Sequence, residues 1–113
     1  MPVTRVLVVD DHDTVRRSLC SLLSQEPTLD VICQTAGGED AVIKAQELQP
    51  DIILLDINLP GISGIEAAYQ IRTVSPNSRI IFLSQHDTVH IANEALKTGG
   101  TATLQKAKLP WNF

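Results

Sequence analysis

Three features of the sequence predict an α/β protein built on a doubly wound parallel sheet. Short apolar runs alternate with helix-like segments along the chain, the pattern of repeated βα units. The runs are rich in Val and Ile, as strands covered on both faces must be. The chain has 113 residues, 43% of them hydrophobic, which suits one domain with one modest core.

The elements follow in order. Val6-Leu7-Val8-Val9 is the first strand. Over Asp13–Ser24, the residues Val15, Leu19, Leu22 and Leu23 fall on one stripe of a helix. Leu29–Thr35 forms a second strand around Val31 and Ile32. Gly37 and Gly38 break the chain before a helix carrying Ala41, Val42, Ala45 and Leu48, which Pro50 stops. Ile52-Ile53-Leu54-Leu55 reads as the most deeply buried strand. Pro60, Gly61 and Gly64 punctuate a loop, and Ile65, Ala68, Tyr69 and Ile71 then predict a third helix. Arg79–Ser84 is a fourth strand, 88–97 a fourth helix and 101–104 a short fifth strand. This is a (βα)₄β chain, a single domain over 1–113 with its core in 5–106. A closing helix needs ~10 residues or more. Only seven residues follow Lys106, Pro110 among them, so the last helix is expected to be missing and 107–113 to be an atypical or truncated tail.

Composition narrows the function. Nine basic residues against thirteen acidic ones give a net charge of −4, unsuited to direct nucleic acid contact by this segment. No apolar run approaches the ~20 residues that cross a bilayer, so no membrane partner is expected. The start of the chain lacks a signal-peptide pattern, which predicts a cytoplasmic setting. Cys20 and Cys33 then read as reduced thiols packed in the core. Gly37-Gly38 lacks dinucleotide-loop spacing, and Asp10-Asp11-His12-Asp13 after the first strand would repel a flavin phosphate.

In open parallel sheets ligands bind beyond the carboxyl ends of the strands. Asp10 and Asp11 follow the first strand and Asp56 ends the third. Ser84 ends the fourth, and the fifth runs into Lys106. Two carboxylates ~4 Å apart repel by roughly 4 kcal/mol at an effective dielectric near 20. A lysine and a divalent cation relieve that repulsion, and oxygen-only ligands favour Mg²⁺, or Mn²⁺, over zinc. Such a pocket attracts an anion with several oxygens, a phosphoryl group foremost. An isolated Asp at a strand end only caps a helix or faces solvent. The weight rests on separate strands delivering five suitable groups to one edge.

Val8-Val9-Asp10-Asp11-His12, the block Leu54-Leu55-Asp56-Ile57-Asn58-Leu59-Pro60-Gly61-Ile62-Ser63-Gly64, Phe82-Leu83-Ser84 and Lys106 together resemble the receiver domain of two-component response regulators. Ala95-Leu96-Lys97-Thr98-Gly99 resembles the NarL/LuxR-type subgroup. The resemblance implies a flavodoxin-like sheet in the order 2-1-3-4-5. It implies that Asp56 accepts a phosphoryl group from a sensor histidine kinase or phosphotransfer protein, with Ser84 and Lys106 contacting phosphoryl oxygens. Asp10, Asp11, Asp56 and the Asn58 carbonyl would hold Mg²⁺. The switched surface would lie on the fourth helix and fifth strand, and the output would be transcription through a DNA-binding domain not present in this chain. The resemblance implies a phosphoacceptor rather than an enzyme, with at most self-catalysed phosphotransfer and autodephosphorylation.

Some positions differ from that pattern. Thr103 stands where the family usually has Tyr or Phe, Ala102 replaces a common glycine, and Gln85 and His86 follow the switch hydroxyl. An exposed apolar flank left by a missing last helix, with Trp111 and Phe113 near it, predicts a homo-oligomer. Thr103 also leaves room for a stand-alone or degenerate receiver that acts by contacts alone. Asp11-His12-Asp13-Thr14-Val15 resembles a haloacid-dehalogenase motif with Asp11 as nucleophile, though that reading leaves the Asp56 block unexplained. His12, His86 and His90, lacking partners at metal-ligand spacing, are expected to be solvated.

Overall fold

The computed structural model describes residues 2–84 and 102–106. Its elements are β1 (Thr4–Val9), α1 (Asp13–Ser24), β2 (Leu29–Thr35), α2 (Gly38–Leu48), β3 (Ile52–Asp56), α3 (Gly64–Val74), β4 (Arg79–Ser84) and β5 (Ala102–Gln105). The strands pair in parallel in the order β2-β1-β3-β4-β5. This is the order that the resemblance implies. It places the reversal of strand order between β1 and β3.

Alternation along each strand sorts the apolar residues between two layers. Leu7, Val9, Ile53, Leu55, Ile80 and Phe82 join Ala41 and Ala45 of α2 and Ala67, Ala68 and Ile71 of α3 in one fully buried cluster. The alanines let α2 and α3 lie close to the sheet and beside one another. Val6, Val8, Leu54 and Leu83 meet Leu19 of α1 in the other layer, with Cys20, Leu23, Val31, Ile81 and Leu104 only partly buried. Each large apolar side chain that leaves water contributes about 1.5–3 kcal/mol. The burial holds the strand ends rigid relative to one another.

Several details depart from the expected pattern. Tyr69 is half exposed, and Ala67 takes its place facing the core. The tight face of α3 is set by small residues, and the phenol stays where its hydroxyl meets water. Pairing between β1 and β2 jumps from Val6↔Val31 to Leu7↔Cys33, so Ile32 is an extra residue on the edge strand, which bends it. β5 ends at Gln105, one residue later than expected. The predicted helix at 88–97, Thr101, Gln85, His86, His90 and the tail 107–113 lie outside the described residues. Among the described residues no helix is long and apolar enough to cross a membrane.

Local chemistry fixes the loop that leaves β3. Ser63 caps α3 by accepting a hydrogen bond from the Glu66 amide at 3.2 Å. The Gly64 amide donates to the Ile57 carbonyl at 2.8 Å, and a side-chain carbon at Gly64 would collide with the Asp56 carbonyl oxygen. Gly61 adopts φ 74°, a left-handed conformation open to glycine at little cost. The Ile62 amide donates to Glu39 Oε1 at 3.2 Å, tying the loop to the start of α2.

Candidate functional site

Asp10 follows β1 directly and is fully buried. Its Oδ1 accepts the His12 amide at 2.9 Å, and its carbonyl accepts Arg16 Nη1 at 2.7 Å. The first bond is an Asx-type turn that bends the chain from the strand into α1. Asp56 closes β3 at 1% exposure, with Oδ1 accepting the Asn58 amide at 3.0 Å. Lys106, buried just after β5, reaches across the sheet edge. Its Nζ lies 2.8 Å from Asp10 Oδ2 and 3.1 Å from Asp56 Oδ2. One ammonium therefore bridges two buried carboxylates that come from different strands.

Ser84 ends β4 beside this bridge, since the preceding Leu83 pairs with Asp56. It is fully buried, and its hydroxyl has no hydrogen-bond partner among the described residues. An unmade bond on a buried hydroxyl is costly, and such groups cluster where a ligand supplies the missing partner. Asp11 stays about one-third exposed. One ligand atom each from Asp10, Asp11, His12 and Asp56 lie within 4.8 Å of one another. Asn58 is exposed and joins the group through its amide bond to Asp56.

The titration of the pocket follows from this packing. Burial pushes the Asp56 carboxyl above its ordinary value; Lys106 pulls it back, while Asp10 adds to the rise. For Lys106 burial alone would weaken the ammonium. The hydrogen bond with Asp10 and the charges of Asp56 and Asp10 outweigh it, so its pKa is raised. The ammonium stays charged while the acids around it repel one another. Three hard carboxylates against one lysine form a donor set that fits a hard divalent cation.

The structure thus gathers Asp10, Asp11, Asp56 and Lys106, with Ser84 and Asn58 alongside. His12 is exposed, as expected of a solvated residue, and its Nδ1 also lies 3.3 Å from Asp10 Oδ1 and 3.4 Å from Asp11 Oδ1, contacts that sequence reasoning did not foresee. The available signal was the turn itself, because a residue two beyond Asp10 folds back over that carboxylate. Arg16 and Glu39 were also missed, as long side chains that bond to backbone give no periodic pattern. Asp13, the acid/base that the hydrolase resemblance requires, is 70% exposed and bound to Arg16 Nη2 at 2.6 Å. The Arg16 hydrogen bond and charge lower its pKa. This leaves Asp13 poorly suited to donate a proton.

Comparison with known proteins agrees with this geometry. Residues 6–110 match the family described as response regulator receiver domain. The response regulator protein VraR of Staphylococcus saprophyticus is 37% identical over 99 residues, which are 88% of this chain and 47% of that protein. The nitrate/nitrite response regulator protein NarL of Escherichia coli is 33% identical over 105 residues, 93% of this chain and 49% of that protein. The chain thus spans about half the length of these relatives. A crystal structure of a LuxR-family two-component response regulator from Aurantimonas superposes with a TM-score of 0.88 at 31% identity, covering 96% of this chain and 78% of that one. The chain belongs to the response regulator receiver domain family.

Proposed function

We propose that Asp56 is the phosphoacceptor of this receiver domain and that Asp10, Asp11 and Asp56, with the Asn58 carbonyl, hold the Mg²⁺ it needs. A carboxylate oxygen of Asp56 attacks the phosphorus of a phosphohistidine on the partner. The new P–O bond forms as the P–N bond breaks, and the departing imidazole nitrogen takes up a proton. The observation that carries this reading is the Lys106 ammonium held between Asp10 and Asp56 at the sheet edge. Phosphoryl transfer depends mainly on positioning and charge neutralisation, and the rigid strand ends provide the first. Burial keeps water sparse around Asp56 and makes its carboxylate more basic, hence a better nucleophile. Lys106 stays protonated and is placed to follow the transferred oxygens. The Ser84 hydroxyl, without a partner among the described residues, is free to donate to one of them. The divalent cation, when bound, supplies further positive charge against the phosphoryl oxygens.

Drawing Ser84 toward the acyl phosphate would shift the end of β4 and the neighbouring β5 surface. The relatives include transcriptional regulators about twice as long as this chain, so we assign the output to transcription through a DNA-binding region beyond these residues. Incubation with acetyl phosphate and Mg²⁺, followed by mass spectrometry of peptides, tests the site. One phosphoryl group on the Asp56 peptide, absent in Asp56→Asn, is expected. Label on Asp11 with steady turnover would move the chemistry to a hydrolase reading. Absence of both label and Mg²⁺ binding would leave a module that acts by contacts alone, for which Thr103 in place of an aromatic residue on β5 is the supporting observation.

A further inference from the structure

We infer that His12 supplies a nitrogen donor to the acidic pocket and tilts its metal preference from Mg²⁺ toward nitrogen-accepting divalent ions such as Co²⁺ and Ni²⁺. This rests on the reading that Asp10, Asp11 and Asp56 hold a divalent cation. His12 occupies the N-cap position of α1, yet its side chain makes no capping bond. Its ring instead turns back over the strand end, with Nδ1 3.3 Å from Asp10 Oδ1 and 3.4 Å from Asp11 Oδ1. The Asp10 contact is a hydrogen bond when no ion is bound, and the same spacing suits neighbouring ligands of one ion. Donors bound ~2.1 Å from a metal stand roughly 3 Å apart when adjacent and roughly 4.2 Å apart when opposite. All four donor atoms of the group already lie within 4.8 Å of one another, so closing on an ion takes only small rotations.

The two oxygens of Asp10 have different neighbours. Lys106 sits on Oδ2, whereas Oδ1 faces the imidazole. An ion on the Oδ1 side therefore meets a ring nitrogen without displacing the lysine from Oδ2. The ring is more than half exposed, so exchanging its Nδ1 hydrogen bond with Asp10 for an ion, with release of that proton, needs little repacking. Carboxylates alone bind Mg²⁺ and the later divalent ions by charge. An added imidazole strengthens the hold on Co²⁺ and Ni²⁺ far more than on Mg²⁺, which prefers oxygen and keeps its waters.

Isothermal titration of the 113-residue chain with Mg²⁺ and, separately, with Ni²⁺ tests this against His12→Asn and Asp11→Asn. Asparagine is a favoured N-cap residue, so the start of α1 is preserved. His86 and His90 are present in every protein compared, so the difference isolates His12. His12→Asn is expected to lose roughly 10-fold or more in Ni²⁺ affinity while its Mg²⁺ affinity changes by less than about 3-fold. Equal losses for both ions, or no loss for either, would overturn the assignment. Should Asp11→Asn leave both affinities untouched, the shared cation reading falls with it, a result distinct from failure of His12 alone. Cu²⁺ electron paramagnetic resonance gives an independent readout: nitrogen hyperfine structure present in the wild type and reduced in His12→Asn supports the nitrogen ligand, and identical spectra overturn it.

Discussion

The two ends of the sheet are built from the same strands but solve opposite problems. At the amino end, polar groups satisfy one another in the open. The Arg5 amide donates to Asp51 Oδ2 at 2.8 Å, the Asp51 amide to the Arg5 carbonyl at 2.9 Å, and the Arg79 amide to the Asp51 carbonyl at 2.9 Å. Arg5 Nη1 reaches the Gln49 carbonyl at 3.0 Å, and Gln49 Nε2 reaches that of Val74 at 2.9 Å. At the carboxyl end, Asp10 and Asp56 are buried together, and the Thr35 and Ser84 hydroxyls lack hydrogen-bond partners among the described residues. One end closes the fold with bonds that need nothing more. The other holds carboxylate charge that Lys106 offsets in part and hydroxyls without partners among the described residues, and the hydrophobic layers between the two ends offset that cost. Concentrating the electrostatic strain at one edge marks that edge as the site.

Removing the lysine should separate the two ends most sharply. Lys106→Met leaves two buried carboxylates facing each other and is expected to cost about 3–5 kcal/mol, as loss of one partner from a buried ion pair does. Chemical denaturation with and without millimolar Mg²⁺ checks this, with the cation restoring part of the loss. No Mg²⁺ rescue would mean that the carboxyl end is not strained by charge. Gly64→Ala ranks next. Its methyl group meets the Asp56 carbonyl oxygen, backbone that cannot swing aside, so about 3 kcal/mol should be lost. The loss should be accompanied by weaker Mg²⁺ binding as the end of β3 is displaced.

Asp56→Asn acts in the other direction. The native Asp56 pKa is raised by burial, so the folded state holds this proton more tightly than the unfolded chain does. Stability contributed by this group is therefore present at acid pH and falls as pH rises through the raised native pKa. Asn removes that loss. The variant should be more stable than the wild type near neutral pH and should melt at a higher temperature. Its advantage should fade as pH falls toward the ordinary carboxylate value of 3.8. Thermal melts across pH would read both features. A difference that grows toward acid would show that Asp56 is stabilised by its neighbours rather than strained by them.

Much of this contrast was legible in the residues. Val6, Val8, Ile53 and Leu55 form continuous apolar runs because both faces of their strands are covered, and the rule for parallel sheets then sends Asp10, Asp56 and Ser84 to one edge. Lys106 was legible as a charge at that edge but not as a bridge, since bridging depends on two strands brought together by packing. The contact of His12 with Asp10 was illegible because it arises from a two-residue turn over Asp10 rather than from a repeat. Tyr69 misled because an aromatic ring fits an apolar stripe by type, whereas the buried face of α3 is made of Gly64, Ala67, Ala68 and Ile71. The amino-end network was missed altogether: Arg5, Gln49 and Asp51 act on backbone groups, and backbone partners leave no trace in the pattern of side chains.

That network gives the smallest effect and the cleanest control. Asp51→Ala removes the acceptor of the Arg5 amide but leaves the backbone bonds of Asp51 with Arg5 and Arg79 in place. Water can reach the exposed amide, so the loss should be only about 0.5 kcal/mol, at the low end for a hydrogen bond. Mg²⁺ affinity and phosphorylation should be unchanged, because the site lies at the opposite end of rigid strands. Denaturation and metal titration of the same sample measure both. A stability loss as large as that of Lys106→Met, or any weakening of Mg²⁺ binding, would show that the two ends are coupled through the sheet, and the division between a closing end and a working end would fail.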